Sequence, residues 1–389
     1  YIASVLPVWT LLQPRDYINS LQLLSALGLV VLGLVAACFF GGAALTPGAE
    51  RPALEIVAPA FNFSPEGAPS IFPFLFITIA CGAISGFHCL VSSGTTSKQL
   101  KCESDAQLVG YGSMLTEGFL AVLVILACIS GLGLGTGTGE SFISGSAAFE
   151  ARYASWDAAK GLGAKVGAFV EGSANFLKSL GLPAKFSIAL MGVFVASFAA
   201  TTLDTACRLQ RYVVQELAGT LAPRHRVNGK RTGEFVSGNP LFWLTNRHAA
   251  TLFAITIAFF IAQLPGGEGK APGTGGLLLW PLFGAINQLL AGLAFLVITF
   301  WLRRRGLPYS LALIPGILML VLPAIAMSLN LRDFADNNSW LLFGFGFTTI
   351  IIEVWMIVEA LSVWKKSKGI LEIREDIPKA AENRGGRSC

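Results

Sequence analysis

Charge is scarce in this chain. Its 389 residues carry 28 Lys and Arg against 23 Asp and Glu, only 13% of the total, where a soluble domain carries roughly 25%. With 53% hydrophobic residues and a mean hydropathy of +0.64, that scarcity excludes a soluble globular protein and points to a polytopic membrane protein. Histidine is rarer still: His88, His225 and His248 are all there are. No His-Glu-x-x-His occurs, and the seven cysteines (Cys38, Cys81, Cys89, Cys102, Cys128, Cys207 and Cys389) show no CxxC or Cys/His metal spacing. Most of them sit in or beside apolar runs, where cysteine acts as a small hydrophobe. No disulfide framework, metal or cofactor is therefore expected, and the sequence lacks the groups an intramembrane enzyme would need. The net charge of +5 reads as a topology signal rather than a nucleic-acid signal.

What is abundant is apolar sequence in bilayer-length runs. Spans are predicted at 18–40, 71–93, 110–134, 186–207, 248–264, 277–302, 308–329 and 340–364, each near the roughly 20 residues that a hydrocarbon core requires. The chain starts at Tyr1 without an initiator Met, and Tyr1–Leu12 is apolar but too short to span. It reads as the tail of a cut helix in a fragment, with Pro-Arg-Asp-Tyr at 14–17 as a helix stop. Arg15 and Asp16 are a candidate gate pair there, against a plain turn. Residues 1–364 read as one transport domain, and 365–389 as a charged cytoplasmic tail.

Most Lys and Arg fall on one side of this arrangement: Arg15, Lys98, Lys101, the 206–247 loop, Arg303–Arg305 and the tail. That side is predicted to be cytoplasmic. On the other side, Ala164–Leu180 has Val166, Phe169, Val170 and Phe176 at helical spacing with Lys165, Glu171 and Lys178 between them. This predicts an amphipathic helix on the outer surface or capping a vestibule. The Gly-rich run at 131–139 follows a membrane helix rather than a strand, so a flexible exit loop is expected instead of a nucleotide loop.

Three polar constellations interrupt the apolar background. In Ser-Gly-Phe-His-Cys-Leu-Val-Ser-Ser-Gly-Thr-Thr-Ser-Lys (85–98), a continuous helix would put Cys81, Ser85, His88, Ser92 and Thr95 on one stripe. His88, Ser92, Ser93, Thr95 and Thr96 are candidates for binding substrate or coupling a proton, because such groups are costly in lipid and histidine changes charge near neutrality. The alternative is that the hydroxyls bond backbone carbonyls and His88 bridges helices. In Thr-Thr-Leu-Asp-Thr-Ala-Cys-Arg (201–208), Thr201, Asp204, Thr205 and Arg208 share a face. They offer hard oxygens for a small cation, or else an Asp204–Arg208 ion pair. Asn287 and Gln288 lie in an apolar segment after Pro281, as interhelical glue or as substrate contacts. Glu117, Glu353 and Glu359 also lie in apolar runs, the last two read as snorkelling on a surface helix or lining a partner interface.

Together, YIASVLPVWTLLQPRDYINS (1–20), SGFHCLVSSGTTSKQL (85–100), TTLDTACRLQRYVVQEL (201–217) and WPLFGAINQLLAGLA (280–294) resemble the signature blocks of the carbon starvation (CstA) family of membrane transporters. The resemblance implies an all-α, LeuT-like inverted-repeat transporter of the amino acid–polyamine–cation superfamily in the bacterial inner membrane. It implies import of peptides or pyruvate, driven by H+ or Na+ as the transported ion. By a further likeness to sodium–solute symporters, Thr201, Thr202 and Thr205, with Asp204 beside them, would serve ion coupling. An anionic substrate would be met by a broken helix end near Gly94. A channel or a nutrient-responsive sensor is the rival reading; no pore repeat and no signalling domain is evident. The expected partners are the small-molecule substrate and the lipid bilayer, with no nucleic acid; oligomeric state is not legible.

Overall fold

Hydropathy dictates most of the architecture. In the computed structural model, residues 1–44, 50–63, 65–137, 142–156, 159, 162–221, 224–227, 230–235, 240–266 and 272–367 are described. In chain order the helices are α1 Ile2–Val5, α2 Val8–Phe40, α3 Phe76–Ala83 and α4 Gly86–Gly94, then α5 Asp105–Leu134. There follow α6 Ser146–Arg152, α7 Leu162–Ser179, α8 Ala184–Leu221, α9 Pro240–Trp243, α10 Arg247–Gln263, α11 Trp280–Arg304, α12 Ser310–Asp336 and α13 Trp340–Trp364. A two-stranded antiparallel ribbon, β1 Arg224–Val227 with β2 Lys230–Phe235, stands between α8 and α9. Among the described residues, seven helical segments are long and apolar enough to cross a bilayer: α2, Ile71–Lys98 (which contains α3 and α4), α5, α8, α11, α12 and Trp340–Ser367. The eighth expected span, α10, is apolar but has 17 residues, at the short limit for crossing.

Two compact units emerge: Tyr1–Ala68 with Ser104–Leu252, and Pro69–Glu103 with Phe253–Cys389. In the first, the centre is α7. Residues 172–177 are all buried, and Phe176 and Leu177 join Ala26, Leu27, Val30, Leu123, Ala127, Met191 and Phe194 in the core. The predicted surface helix is thus a buried one. Small residues admit it: a Cβ on Gly172 would collide with the Ala127 carbonyl, and one on Gly131 would lie 2.6 Å from the Gly172 carbonyl. Such backbone approach is how apolar helices associate in lipid. Its charges are accommodated locally, with Glu171 paired to Arg152. Burial pulls the Lys178 ammonium below its usual range, and Glu171 opposes the shift.

The start of the Gly run also differs from expectation. Residues 131–135 are buried, and Asn175 Nδ2 donates to the carbonyls of Gly131 at 2.7 Å and Gly135 at 2.8 Å. Asn175 thereby satisfies carbonyls that the end of α5 leaves without helical donors. Residues 138–141 lie outside the described residues. Pro14 does not stop α2, which runs unbroken from Val8 to Phe40. One missing N–H and a bend are tolerated where neighbouring elements hold the helix. Tyr1–Leu12 is consequently not the tail of one helix: α1 ends at Val5, and α2 restarts after Leu6 and Pro7.

The second unit is built on α11, α12 and α13. Leu282, Ala285, Met327, Phe334 and Leu342 form its core. Gly292 meets Leu320 and the Met319 carbonyl, and Gly316 meets Phe295. At the far end Arg303 lies over the Trp364 ring at 4.1 Å and donates to Ser367 Oγ at 3.2 Å. Among the described cysteines, Cys38, Cys81, Cys89, Cys128 and Cys207 are free. The tail beyond Ser367 lies outside the described residues.

Candidate functional site

The segment containing the hydroxyl cluster is not one helix. At Ile84 (φ −137°, ψ 96°) and Ser85 (φ −110°, ψ 127°) the backbone is extended, which separates α3 from α4. A break of this kind strands carbonyls on one half and N–H groups on the other, which lipid cannot satisfy. The answer in sequence is Asn287 on α11, which is 5% exposed. Its Oδ1 accepts from the Phe87 N–H at 2.9 Å and from Ser85 Oγ at 3.3 Å, and its Nδ2 donates to Cys81 Sγ at 3.2 Å. One amide thus bridges both half-helices. Gly86 makes the approach feasible: a Cβ there would meet the Asn287 carbonyl, Leu290 Cβ at 2.6 Å and Ala291 N at 2.8 Å.

The continuous stripe expected from Cys81 to Thr95 therefore does not exist. Cys81 and Ser85 converge on Asn287. His88 and Ser92 lie on an exposed face, with the His88 ring 6.4 Å from that of Phe87. The hydroxyls bond backward within the helix: Ser92 to the Cys89 carbonyl at 2.9 Å, Ser93 to Leu90 at 3.3 Å and Thr95 to Val91 at 2.8 Å. Thr96 is half-buried in the closing turn. α4 does end at Gly94, but as a helix C-terminus that frees carbonyls; the end that frees N–H groups is at Ser85, and one of them is already taken by Asn287. Next to it lies a 330 Å³ groove lined by Phe87, Leu90, Leu279, Phe283, Leu290 and Phe345 among others, almost wholly apolar. Gln288, the neighbour of Asn287, is fully buried, and neither its Oε1 nor its Nε2 has a partner.

In the first unit, α2 and α8 are joined by a ladder of polar side chains. Gln22 Oε1 accepts from Ser197 Oγ at 3.0 Å, Asn19 Nδ2 donates to Thr201 Oγ1, and Arg15 pairs with Asp204. Positions 15, 19 and 22 of one helix meet 204, 201 and 197 of the other, the i, i+3, i+4 spacing of facing helical stripes. Arg15 also holds Asp16 at 2.7 Å. The anticipated Asp204–Arg208 pair is absent. Arg208 is buried, and its guanidinium donates to the carbonyls of Ala3 and of Leu6, the latter at 2.7 Å, where the break between α1 and α2 leaves them free. Asp204 Oδ1 is buried without a partner. Thr205 bonds the Thr201 carbonyl at 3.3 Å, while Thr202 is exposed and bonds Phe198 at 3.2 Å. Thr201 and Asp204 thus face α2, and Thr202 does not join them. Among the described residues, no group of three or more His, Cys, Asp or Glu is placed to hold a metal ion.

Sequence reasoning missed Asn19, Gln22 and Ser197 as ladder members and Asn175 as a cap. The signal was present for the first two, since Arg15, Asn19 and Gln22 are polar at helical spacing in an apolar segment.

Apolar helices of bilayer length, one of them interrupted and clamped by a buried amide, define a multi-pass helical membrane protein. The family profile described as carbon starvation protein CstA matches residues 1–328, and the chain belongs to that family. It is 32% identical to the peptide transporter CstA of Helicobacter pylori (strain ATCC 700392 / 26695), over 87% of this chain and 49% of that protein. It is also 32% identical to the peptide transporter CstA of Escherichia coli K12, over 82% and 47%. To the pyruvate/proton symporter BtsT of Escherichia coli K12 it is 30% identical, over 85% and 49%. The chain spans about half the length of these curated relatives. No solved structure matches it at a significant level.

Proposed function

We propose that the protein acts as a secondary active transporter that imports a small organic nutrient, pyruvate or short peptides, across the bacterial inner membrane with its C-terminus in the cytoplasm. The coupling ion is H+ or Na+, and the core is of the LeuT-like inverted-repeat kind. The observation that carries this reading is the helix broken at Ile84–Ser85 and bridged by Asn287. Discontinuous membrane helices are the recurrent means by which transporters expose backbone dipoles to a solute at mid-membrane depth. The relatives' names supply the two substrate classes.

Around the break, His88, Ser92, Ser93, Thr95 and Thr96 are the substrate or proton-coupling candidates, and Asn287 holds the geometry. The ion-coupling role goes to Thr201, Asp204 and Thr205, while Thr202, exposed and turned from them, falls outside the group. The free Asp204 Oδ1 supports that assignment, and Arg15 occupies the partner position until an ion replaces it. Uptake of labelled pyruvate and of labelled dipeptides into proteoliposomes, under imposed proton or sodium gradients, tests the proposal. Accumulation of one substrate class driven by one gradient is expected; flux indifferent to both gradients would indicate a channel instead.

A further inference from the structure

Glu353 does not snorkel outward from α13, a helix whose other faces are largely exposed. It lies on α13 at 5% exposure, and neither carboxylate oxygen has a hydrogen-bond partner. Among the described residues of its unit, the other buried side chain with unpartnered polar atoms is Gln288. The two lie at one level. Gly346 of α13 meets Leu282 of α11, and Arg303 of α11 lies over Trp364 of α13, so the two helices run parallel. Seven residues beyond Gly346 is Glu353, on the same face; seven beyond Leu282 is Leu289, next to Gln288. On the third helix, α12, the residue level with Glu353 is Pro323, since both are equally far from the Asn338 turn. Pro323 is buried and has no N–H, so the Met319 carbonyl one turn away loses its helical donor.

Among the described residues of the helices packed here, no counter-charge is placed at this level. Between Trp280 and Leu302, α11 has no ionisable side chain, and neither has α12 between Ser310 and Leu331. The charged groups of the packed elements are Arg303 and Arg304, Arg332, Asp333 and Asp336, and Lys365 and Lys366, all at helix ends. On α13 itself the nearest is Glu359, which is of like sign. An ionised carboxylate buried without a hydrogen-bond partner, and with no cation on the described parts of the helices packed against it, is strongly disfavoured. A neutral carboxyl has an O–H to donate, and at the same level of the bundle stand the unpartnered Gln288 amide and the Met319 carbonyl freed by Pro323. Intramembrane carboxyls of this kind mark proton paths.

We propose that Glu353 is a membrane-embedded proton-binding site, occupied by a proton in this packed arrangement, with Gln288 as its positioning neighbour. This rests on the transporter reading only for its use: emptying and refilling the site as α13 moves would couple a proton to solute movement.

Two measurements test it on the full chain in lipid vesicles. The first is independent of transport. Dicyclohexylcarbodiimide consumes a protonated carboxyl: the carboxyl proton passes to a carbodiimide nitrogen while a carboxylate oxygen bonds to its central carbon, and the adduct rearranges to a stable N-acylurea. Peptide mass mapping at neutral pH should find this adduct on Glu353 of the unaltered protein, with yield falling toward about tenfold per pH unit once the pH exceeds that at which the site empties. No adduct at Glu353 at any pH down to mild acidity, while an exposed control such as Glu359 reacts, would overturn the proposal. The second is E353Q, which keeps shape and neutrality. It should preserve substrate exchange between equal pools while the accumulation ratio under a pH gradient falls to about one; E353D should restore part of it. Undiminished proton-driven accumulation by E353Q would refute the coupling role. If the unaltered protein transports nothing, the transporter reading fails while the carbodiimide result still decides the proton site.

Discussion

Replacing Asn287 by Ala removes the one amide that holds the two halves of the broken helix. The Phe87 N–H loses its acceptor at 2.9 Å in a buried setting, which costs about 1–3 kcal/mol. The longer contacts to Ser85 at 3.3 Å and Cys81 at 3.2 Å add roughly 0.5–1 kcal/mol together. A total near 2–3 kcal/mol, at 1.4 kcal/mol per factor of ten, corresponds to local opening favoured on the order of 100-fold. Cys81 is a built-in reporter, being free, half-buried and bonded to the same amide. In a background where the other cysteines are replaced, the rate of Cys81 modification by a membrane-permeant maleimide should rise by that order in Asn287→Ala. Ser85→Ala removes only the longer 3.3 Å contact to the same amide, so its rate should rise far less. A Cys81 rate in Asn287→Ala within about twofold of the parent, with helical circular dichroism unchanged, would refute the clamp and the magnitudes assigned to it.

Other outcomes follow from the same geometry. Gly172→Ala places a methyl against the Ala127 carbonyl and should lower stability in detergent by about 1–3 kcal/mol, measured as a fall in the unfolding midpoint; Gly163→Ala, in open space, should not. Asp204→Asn weakens a half-exposed pair with Arg15 and should cost about 1 kcal/mol while altering the cation dependence of uptake; an unchanged cation response would remove Asp204 from ion coupling. His88→Gln should alter substrate affinity or its pH dependence, and unchanged profiles would return His88 to a bystander. Burial, with Cys128 alongside, holds the Tyr153 phenol well above the usual tyrosine range. That raised value favours the neutral phenol in the folded state, so its contribution is complete below pH 10 and is lost as pH climbs higher. Tyr153→Phe should accordingly flatten the alkaline loss of stability seen by thermal unfolding across that range.

Hydropathy made the membrane spans legible because lipid imposes length and apolarity directly on sequence. The interruption at Ile84–Ser85 was not legible. Gly82, Gly86 and Gly94 all permit a break, and only the approach of the α11 backbone to Gly86 selects one of them. The polar face of α8 was recognised, but its partner was misassigned to Arg208. An i, i+4 pair on one helix is visible in sequence, whereas Arg15 is distant in the chain and reaches Asp204 through tertiary contact. Burial of α7 was obscured by Lys165, Glu171 and Lys178, which look like a solvated face. Arg152 neutralises Glu171 from a separate element, and small residues rather than large apolar ones line the closest crossing. Glu353 was misread for a complementary reason: an apolar helix is equally consistent with lipid and with protein neighbours, and only packing distinguishes them.

Coupled transport shows itself in the steady-state accumulation ratio. Proteoliposomes containing the protein would be given a series of imposed proton or sodium gradients, and labelled pyruvate or dipeptide measured inside and outside. One-to-one coupling predicts a ratio rising toward about tenfold for each tenfold ion gradient, because 1.4 kcal/mol of driving force sustains a factor of ten in concentration. A ratio that stays at its uncoupled value whichever ion gradient is imposed would contradict the account.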